Sequence, residues 1–233
     1  MSFKNPICVA LDTSELARAL ELAKLLHGHI GMLKIGMEFF YAHGAKGYEA
    51  LGAQGIPIFL DMKLHDIPNT VRQGLQSLLK LAPAPAITNV HATGGLDMMK
   101  AARDAVGPET KLIAVTILTS LSNEDLWATG FARDKTTDDQ ALALAELTCQ
   151  AGLDGVVCSP LDLQNIRSKL PRKFLTVVPG IRPVDSSAHD QKRVATPKSA
   201  VDAGADILVI GRAITGAADP ALAAQNILQS LLL

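Results

Sequence analysis

Short apolar runs rich in Val, Ile and Leu recur along the whole chain, and longer amphipathic segments separate them. Eight of these runs predict β-strands: Ile7–Leu11, Met32–Ile35, Ile58–Met62, Ala86–Val90, Leu112–Leu118, Gly155–Cys158, Phe174–Val178 and Ile207–Ile210. Between them, apolar residues recur every three or four positions, which predicts helices, as in Glu15–Leu26, Asp139–Ala151 and Ala221–Leu232. Because parallel strands need long crossover connections, this alternation predicts a parallel sheet.

The number of units favours a closed barrel over an open sheet. Eight strand–helix units within 233 residues are typical of one α/β protein of the (β/α)8 type. The first strand is followed by no Gly-x-Gly-x-x-Gly sequence, which argues against a dinucleotide-binding fold. No linker or change of composition divides the chain. We therefore expect a single domain over residues 1–233, a (β/α)8 TIM barrel.

Composition narrows the classes of partner. The chain has 22 basic and 23 acidic residues, a formal net charge of −1, so neither a nucleic-acid surface nor a membrane surface is expected. Its three cysteines are widely spaced and form no disulfide framework, which indicates a reducing compartment. With no signal peptide and no membrane span visible in the sequence, a cytoplasmic protein is expected.

Polar residues gather where the predicted strands end. In a (β/α)8 barrel the active site forms at the C-terminal ends of the strands, so these side chains should surround one mouth. They are Asp12, Lys34, Asp61, Lys63, Asn89, His91, Thr116, Thr119, Ser120, the run Pro179–Arg182, Gly211 and Arg212. A group of this kind at one end of a barrel favours a functional site over an ion-pair network that only fixes the strands.

The segment that follows the third apolar run carries the strongest chemical signal. Asp61 and Lys63 are two residues apart and would share one face of a strand, and Asp66 follows where the strand gives way to a helix. Charged groups are costly to bury, and tuned charge chemistry is a common reason for burying them.

Gly211 and Arg212 predict an anion site. A glycine lets backbone N–H groups approach an anion, and an arginine can bind two phosphate oxygens at once. A Gly-Arg pair at an arbitrary place in a sequence is often only a turn followed by a surface arginine. This pair, however, follows the eighth predicted strand, and barrels commonly bind phosphate after strands seven and eight.

The polar connection Arg182–Arg193 is well placed for a mobile lid. No metal-ligand spacing and no Gly-x-Ser-x-Gly motif is present.

Taken together, these motifs resemble the orotidine 5′-phosphate decarboxylase family, in its bacterial single-domain type. The most specific part is the run from Phe59 to Thr70, FLDMKLHDIPNT. Supporting runs are VALD at 9–12, LKIG at 33–36, VTILTS at 115–120, VPGIRP at 178–183, DQKR at 190–193 and IGR at 210–212. Asp-x-Lys-x-x-Asp alone is shared by a wider group of sugar-phosphate enzymes, but all seven runs occur here in order.

The resemblance implies an activity and an assembly. The activity is that of a carboxy-lyase that converts orotidine 5′-monophosphate to UMP and CO2 in pyrimidine biosynthesis, with neither a metal nor an organic cofactor. The assembly is a homodimer whose sites lie at the interface, with Asp66, Ile67 and Thr70 shared with the partner subunit.

The resemblance also implies a role for each matching residue. The expected catalytic residues are Lys34, Asp61, Lys63 and Asp66. The expected substrate-binding residues are Asp12, Lys34, Ile67, Thr70, Thr119, Pro179, Arg182, Gln191, Gly211 and Arg212. Asp12 and Lys34 would bind the ribose hydroxyls and Thr119 the pyrimidine, while Gln191, Gly211 and Arg212 would bind the phosphate.

Chemistry assigns the central role to Lys63. Loss of CO2 from C6 of the pyrimidine leaves an electron pair in the ring plane, and a fixed ammonium could stabilise it and then protonate C6. Asp61 could either repel the departing carboxylate or keep Lys63 charged and oriented. Two other functions stay open: a Mg2+-dependent sugar-phosphate decarboxylase or hexulose-phosphate synthase on the same scaffold, and a non-catalytic nucleotide-phosphate-binding barrel.

Overall fold

Eight parallel strands close into one barrel with the strand order β1 to β8. The structure is a computed structural model that describes residues 5–183 and 195–231. The strands are β1 (Ile7–Leu11), β2 (Met32–Ile35), β3 (Ile58–Leu64), β4 (Ile87–His91), β5 (Lys111–Val115), β6 (Gly155–Val157), β7 (Leu175–Val178) and β8 (Ile207–Ile210). This architecture confirms the (β/α)8 barrel predicted from the sequence.

Helices follow the strands and cover the outside of the barrel. They are α1 (Leu16–Leu26), α2 (Met37–Gly52), α3 (Pro68–Leu78), α4 (Gly95–Ala105), α5 (Asn123–Ala128), α6 (Thr137–Gln150), α7 (Leu163–Lys169), α8 (Pro197–Asp202), α9 (Arg212–Thr215) and α10 (Pro220–Ser230). Local chemistry sets several of their starts. For example, Thr136 and Asp139 form a reciprocal capping box that begins α6, which satisfies backbone N–H groups that have no partner within the helix.

Alternation along each strand divides the core into two layers. On β1, Ile7, Val9 and Leu11 belong to the layer between the strands and the helices, whereas Cys8 and Ala10 belong to the barrel interior. The interior layer is completed by apolar residues of the other strands, among them Met32, Phe59, Ile87, Ile113, Val177, Ile207 and Val209. A packed apolar interior therefore lies below the polar mouth, as expected for this fold.

Two strand ends differ from the sequence prediction by more than one residue, whereas the start of β5 and the bounds of β4, β6 and β7 differ by at most one. The fifth strand ends at Val115 rather than at Leu118, because the chain leaves the ladder there: Ile117 packs into the outer core and Leu118 is 41% exposed. The third strand runs on to Leu64 rather than ending at Met62, and its pairing with β4 shifts register between Leu60 and Leu64. Both differences lie at the mouth of the barrel. The expectation of one domain over residues 1–233 stays a prediction.

Candidate active site

The ends of β1, β2 and β3 place four charged side chains around the mouth of the barrel. Asp12 directly follows β1, and Lys34 lies near the end of β2. Asp61 and Lys63 lie in the C-terminal part of β3. Parallel pairing aligns these ends, since Ala10 pairs with Lys34 and Lys34 with Phe59. The sequence prediction that these groups meet in one space is confirmed by their distances.

Asp61 lies at the centre of this charged cluster. Its Oδ1 accepts a hydrogen bond from the ammonium of Lys63 at 2.7 Å, and its Oδ2 lies 3.1 Å from the ammonium of Lys34. The Lys34 ammonium is also 3.5 Å from Oδ1 of Asp12. Asp61 is only 6% exposed, so one buried carboxylate holds two ammonium groups that would otherwise repel each other.

Their charged neighbours keep Asp61 and Lys34 ionised. Burial by itself would raise the pKa of Asp61, but the ammonium groups of Lys34 and Lys63 and the hydrogen bonds that Asp61 accepts hold that pKa below its ordinary value. Burial would likewise lower the pKa of Lys34, and the carboxylates of Asp61 and Asp12 raise it above its ordinary value instead. At neutral pH the site therefore presents fixed opposite charges in a poorly solvated space.

The backbone at Lys63 is unusual. Its φ is 52°, the one positive φ at a non-glycine residue among those that the structure describes. Such a conformation costs roughly 1–2 kcal/mol for a residue with a side chain, so other contacts must hold it. One of them is visible: the backbone N–H of Lys63 donates to Oδ1 of Asn89 on β4 at 2.8 Å.

Asn89 is a site residue for which no role was predicted from the sequence. It is completely buried, and its Nδ2 donates to Oδ1 of Asp61 at 2.7 Å, in addition to the bond with Lys63. The sequence did place it among the polar residues near the strand ends. A carboxamide inside the apolar run of β4 is the signal that could have singled it out, since such a group is buried only where its hydrogen bonds are satisfied.

A cavity of about 370 Å3 opens beside the charged cluster, which is within the usual size range of small-ligand sites. The predicted site residues that line it are Asp12, Lys34, Asp61, Lys63, Thr119, Pro179, Arg182, Gly211 and Arg212. Its other walls include the apolar side chains of Ala10, Phe59, Val115, Val157 and Val209. The cavity therefore combines charged groups with apolar walls.

The described residues of the predicted phosphate site line the same cavity as the charged cluster. Arg212 and Arg182 both line it, and Gly211 precedes α9. Because α9 has only four residues, its dipole adds little, and attraction for an anion rests on the arginines and on backbone N–H groups. Gln191 and most of the predicted lid, Arg182–Arg193, lie outside the described residues.

Three predicted residues do not reach the cavity of their own chain. Asp66, Ile67 and Thr70 are exposed at the start of α3, and none of them lines the cavity. The carboxylate of Asp66 accepts a hydrogen bond from the backbone N–H of Ile67 at 2.6 Å. Within residues 5–183 and 195–231 Asp66 takes part in no ion pair, and the side chain of Ile67 is left 66% exposed.

Within the described part of the chain, no group of three or more His, Cys, Asp or Glu side chains is arranged to hold a metal ion. Among the helices that the structure describes, none combines the length and the apolar character needed to cross a bilayer.

Comparison with known proteins identifies related sequences along almost the whole chain. The model of the orotidine 5′-phosphate decarboxylase / HUMPS family matches residues 5–227. An orotidine 5′-phosphate decarboxylase of Rhodospirillum rubrum is 49% identical, with 96% of this chain and 93% of that protein covered. The protein of the same name from Novosphingobium aromaticivorans is also 49% identical, over 96% of this chain and 97% of its own length.

Solved structures agree with the sequence comparison. The crystal structure of orotidine 5′-phosphate decarboxylase from Lactobacillus acidophilus superimposes with a TM-score of 0.85 at 39% identity, and covers 99% of this chain and 100% of that one. The corresponding enzyme of Pyrococcus horikoshii superimposes with a TM-score of 0.79 at 26% identity, over 97% of this chain and 99% of that one.

The role of Asp61 in the charged cluster predicts a pH-dependent loss of stability in Asp61→Asn. At pH 7 this substitution leaves Lys34 and Lys63 without their shared carboxylate and should lower the free energy of unfolding by about 3 kcal/mol, the low end for breaking a buried ion pair, since Lys63 is partly exposed. Urea unfolding at a series of pH values measures the difference between the two proteins.

The sign of the pH dependence follows from the lowered pKa of Asp61. Its ionised form stabilises the fold at every pH above the ordinary value of 3.8, and that stabilisation is lost as the pH falls through the folded-state value. The difference between wild type and variant should therefore be constant from pH 7 to about pH 5 and shrink below 3.8. Asp104→Asn, at an exposed position of α4, is the control and should change stability by less than about 0.5 kcal/mol. A difference that grows on acidification would contradict this account.

Proposed function

Because this chain belongs to the orotidine 5′-phosphate decarboxylase / HUMPS family, we propose that it acts as a carboxy-lyase that converts orotidine 5′-monophosphate to UMP and CO2 in pyrimidine biosynthesis. The observation that carries this conclusion is the charged cluster of Asp12, Lys34, Asp61 and Lys63 beside a cavity that apolar side chains and two arginines also line. A phosphorylated nucleoside with an anionic ring matches this combination of groups.

Lys63 is the proposed acid. When the carboxyl group leaves C6, the electron pair stays in the plane of the pyrimidine, where the ring π system does not readily absorb it. A positive charge placed in that plane stabilises the pair, and an ammonium can then transfer a proton to C6. Lys63 supports this role because its ammonium lines the cavity and is held at 2.7 Å by Asp61.

One ammonium does not account for a large acceleration. Two unit charges about 4 Å apart interact by roughly 4 kcal/mol at an effective dielectric constant near 20, whereas enzymatic accelerations correspond to about 8–23 kcal/mol. The remainder is assigned to binding of the phosphate and ribose, far from the reacting carbon, which fixes the ring against the charged cluster. The proposed phosphate ligands are Gln191, Gly211 and Arg212, with Arg182 close to the phosphate. Asp12 and Lys34 are the proposed ligands of the ribose.

Two roles were open for Asp61, and its contacts support one of them. Both carboxylate oxygens are engaged by ammonium groups, so the carboxylate neutralises and orients Lys34 and Lys63. We assign Asp61 to this orienting role. Repulsion between Asp61 and the departing carboxylate would be reduced by the same two ion pairs.

A second copy of the chain completes the proposed site. Asp66, Ile67 and Thr70 are exposed at the start of α3 and do not line the cavity of their own chain. We propose a homodimer in which these three residues enter the partner's site, where Asp66 extends the alternating series of charges. Burial of the apolar side chain of Ile67 in such an interface would be favourable. The enzyme is further proposed to act in the cytoplasm without a metal or an organic cofactor.

The direct test is loss of the ultraviolet absorbance of orotidine 5′-monophosphate on addition of the purified protein. Turnover should be the same after treatment with a chelator as before. Activity that disappears with the chelator and returns with Mg2+ would favour the sugar-phosphate enzymes that share Asp-x-Lys-x-x-Asp. Tight binding of UMP without release of CO2 would instead indicate a nucleotide-binding barrel without catalysis.

Removal of the proposed acid should affect turnover rather than binding. Lys63→Ala should lower kcat by about a thousandfold or more, because about 4 kcal/mol of charge stabilisation is lost, while UMP still binds. Arg212→Ala is the contrasting variant and should mainly raise KM. Steady-state kinetics and UMP titration distinguish the two effects. Near-normal kcat in Lys63→Ala would exclude the proton-donor role.

Sharing of residues between subunits can be tested by mixing inactive variants. Chains that carry Asp66→Ala and chains that carry Lys63→Ala should each be nearly inactive alone. A heterodimer of the two has one site with both residues intact, so mixing with subunit exchange should restore up to a quarter of wild-type activity, since about half of the dimers are mixed and each has one of two sites. Mixtures that stay inactive although exchange has occurred would refute a shared site.

A further inference from the structure

The pairing between β3 and β4 is interrupted at the charged cluster. Leu60 pairs with Thr88 and Leu64 pairs with Val90, so the three residues from Asp61 to Lys63 lie opposite Asn89 alone. Extra residues in one strand leave backbone groups without their ladder partners, and these groups need other hydrogen bonds when they are buried. A side chain from β4 can therefore supply a hydrogen bond that the interrupted ladder lacks.

The carboxamide of Asn89 fills this interruption. Its Oδ1 accepts the backbone N–H of Lys63 at 2.8 Å, and its Nδ2 donates to Oδ1 of Asp61 at 2.7 Å. An amide is rigid and planar, so the two bonds fix the spacing between the backbone of Lys63 and the carboxylate of Asp61. Because Asn89 is completely buried and lies on a strand, it is itself held by the barrel.

Lys63 needs such an anchor at its backbone. Its ammonium is carried on a flexible four-carbon chain, and the bond to Asp61 restrains only the end of that chain. Its left-handed conformation, with φ of 52°, is unfavourable for a residue with a side chain. Without the acceptor on Asn89, the backbone could relax toward an extended conformation, and this would displace the start of the side chain.

We propose that Asn89 is a positioning residue for the decarboxylation: its amide holds the backbone of Lys63 and the carboxylate of Asp61 so that the ammonium stays aligned with C6 of the substrate. This inference rests on the proposed function. Asn89 has no contact with the cavity that holds the substrate, so it acts through Lys63 and Asp61. A misplacement of about 1 Å at a reacting group can cost a hundredfold in rate, which sets the expected size of the effect.

The test compares Asn89→Ala with Thr88→Val in steady-state kinetics and UMP titration. Asn89→Ala removes both bonds and should lower kcat by about a hundredfold, while KM and the Kd of UMP change by less than about threefold, because the phosphate and ribose contacts are intact. Thr88 is the next residue on β4, is equally buried, and donates its hydroxyl to the backbone oxygen of Leu60 at 3.1 Å. Thr88→Val loses one hydrogen bond to β3 outside the site, so it should lower Tm and leave kcat within about twofold.

A second variant keeps the test decisive if Asn89→Ala does not fold. Asn89→Leu nearly keeps the shape of the side chain, removes both hydrogen bonds and leaves no cavity, so it should lower kcat about as much as Asn89→Ala. A folded Asn89 variant with wild-type kcat would overturn the inference. So would a loss of kcat matched by an equal loss of UMP binding, or an equal loss in Thr88→Val, since each would indicate a general loosening of the barrel. Wild-type protein that does not turn over orotidine 5′-monophosphate would refute the proposed function instead.

Discussion

The contact between the carboxylate of Asp61 and the two lysines is the interaction on which the site depends. Lys34 and Lys63 come from neighbouring strands and carry the same charge, and their ammonium groups can lie side by side only because Asp61 lies between them. Desolvation opposes the charges of Asp61 and Lys34, and attraction to their oppositely charged neighbours outweighs it. The barrel makes this possible because its strands hold the three backbones in fixed register, so the charges need no rearrangement when a ligand arrives.

The interior and the mouth of the barrel have different roles, because the charged cluster lies at the mouth. Below the charged cluster the interior is filled by apolar side chains such as Cys8, Phe59 and Ile87, which exclude water and stabilise the fold. Above it, the connections after the strands carry further residues that line the cavity, such as Thr119, Arg182 and Arg212. Packing and chemistry are thus segregated along the barrel axis, and the floor of apolar residues also strengthens the electrostatic interactions at the mouth.

The sequence predicted the parts of this arrangement that depend on periodicity and on local spacing. All eight strands were found, because buried parallel strands are continuous apolar runs, and the cluster of Asp12, Lys34, Asp61 and Lys63 was found because strand ends of a barrel converge. The end of β5 was misplaced because Ile117 and Leu118 are apolar for reasons of loop packing and cavity lining, which a one-dimensional pattern does not distinguish from a strand. The role of Asn89 was missed because it depends on a register shift between two strands, a property of pairing that neither strand encodes alone.

The left-handed backbone of Lys63 has a consequence for how this protein can evolve. A branched residue at that position would meet steric strain, and a glycine would accept the conformation but lose the amine. A change at position 89 would in turn withdraw the hydrogen bond that the conformation requires. Residues 63 and 89 are therefore expected to be inherited as a linked pair, and descendants of this barrel that acquire a different chemistry should have replaced both.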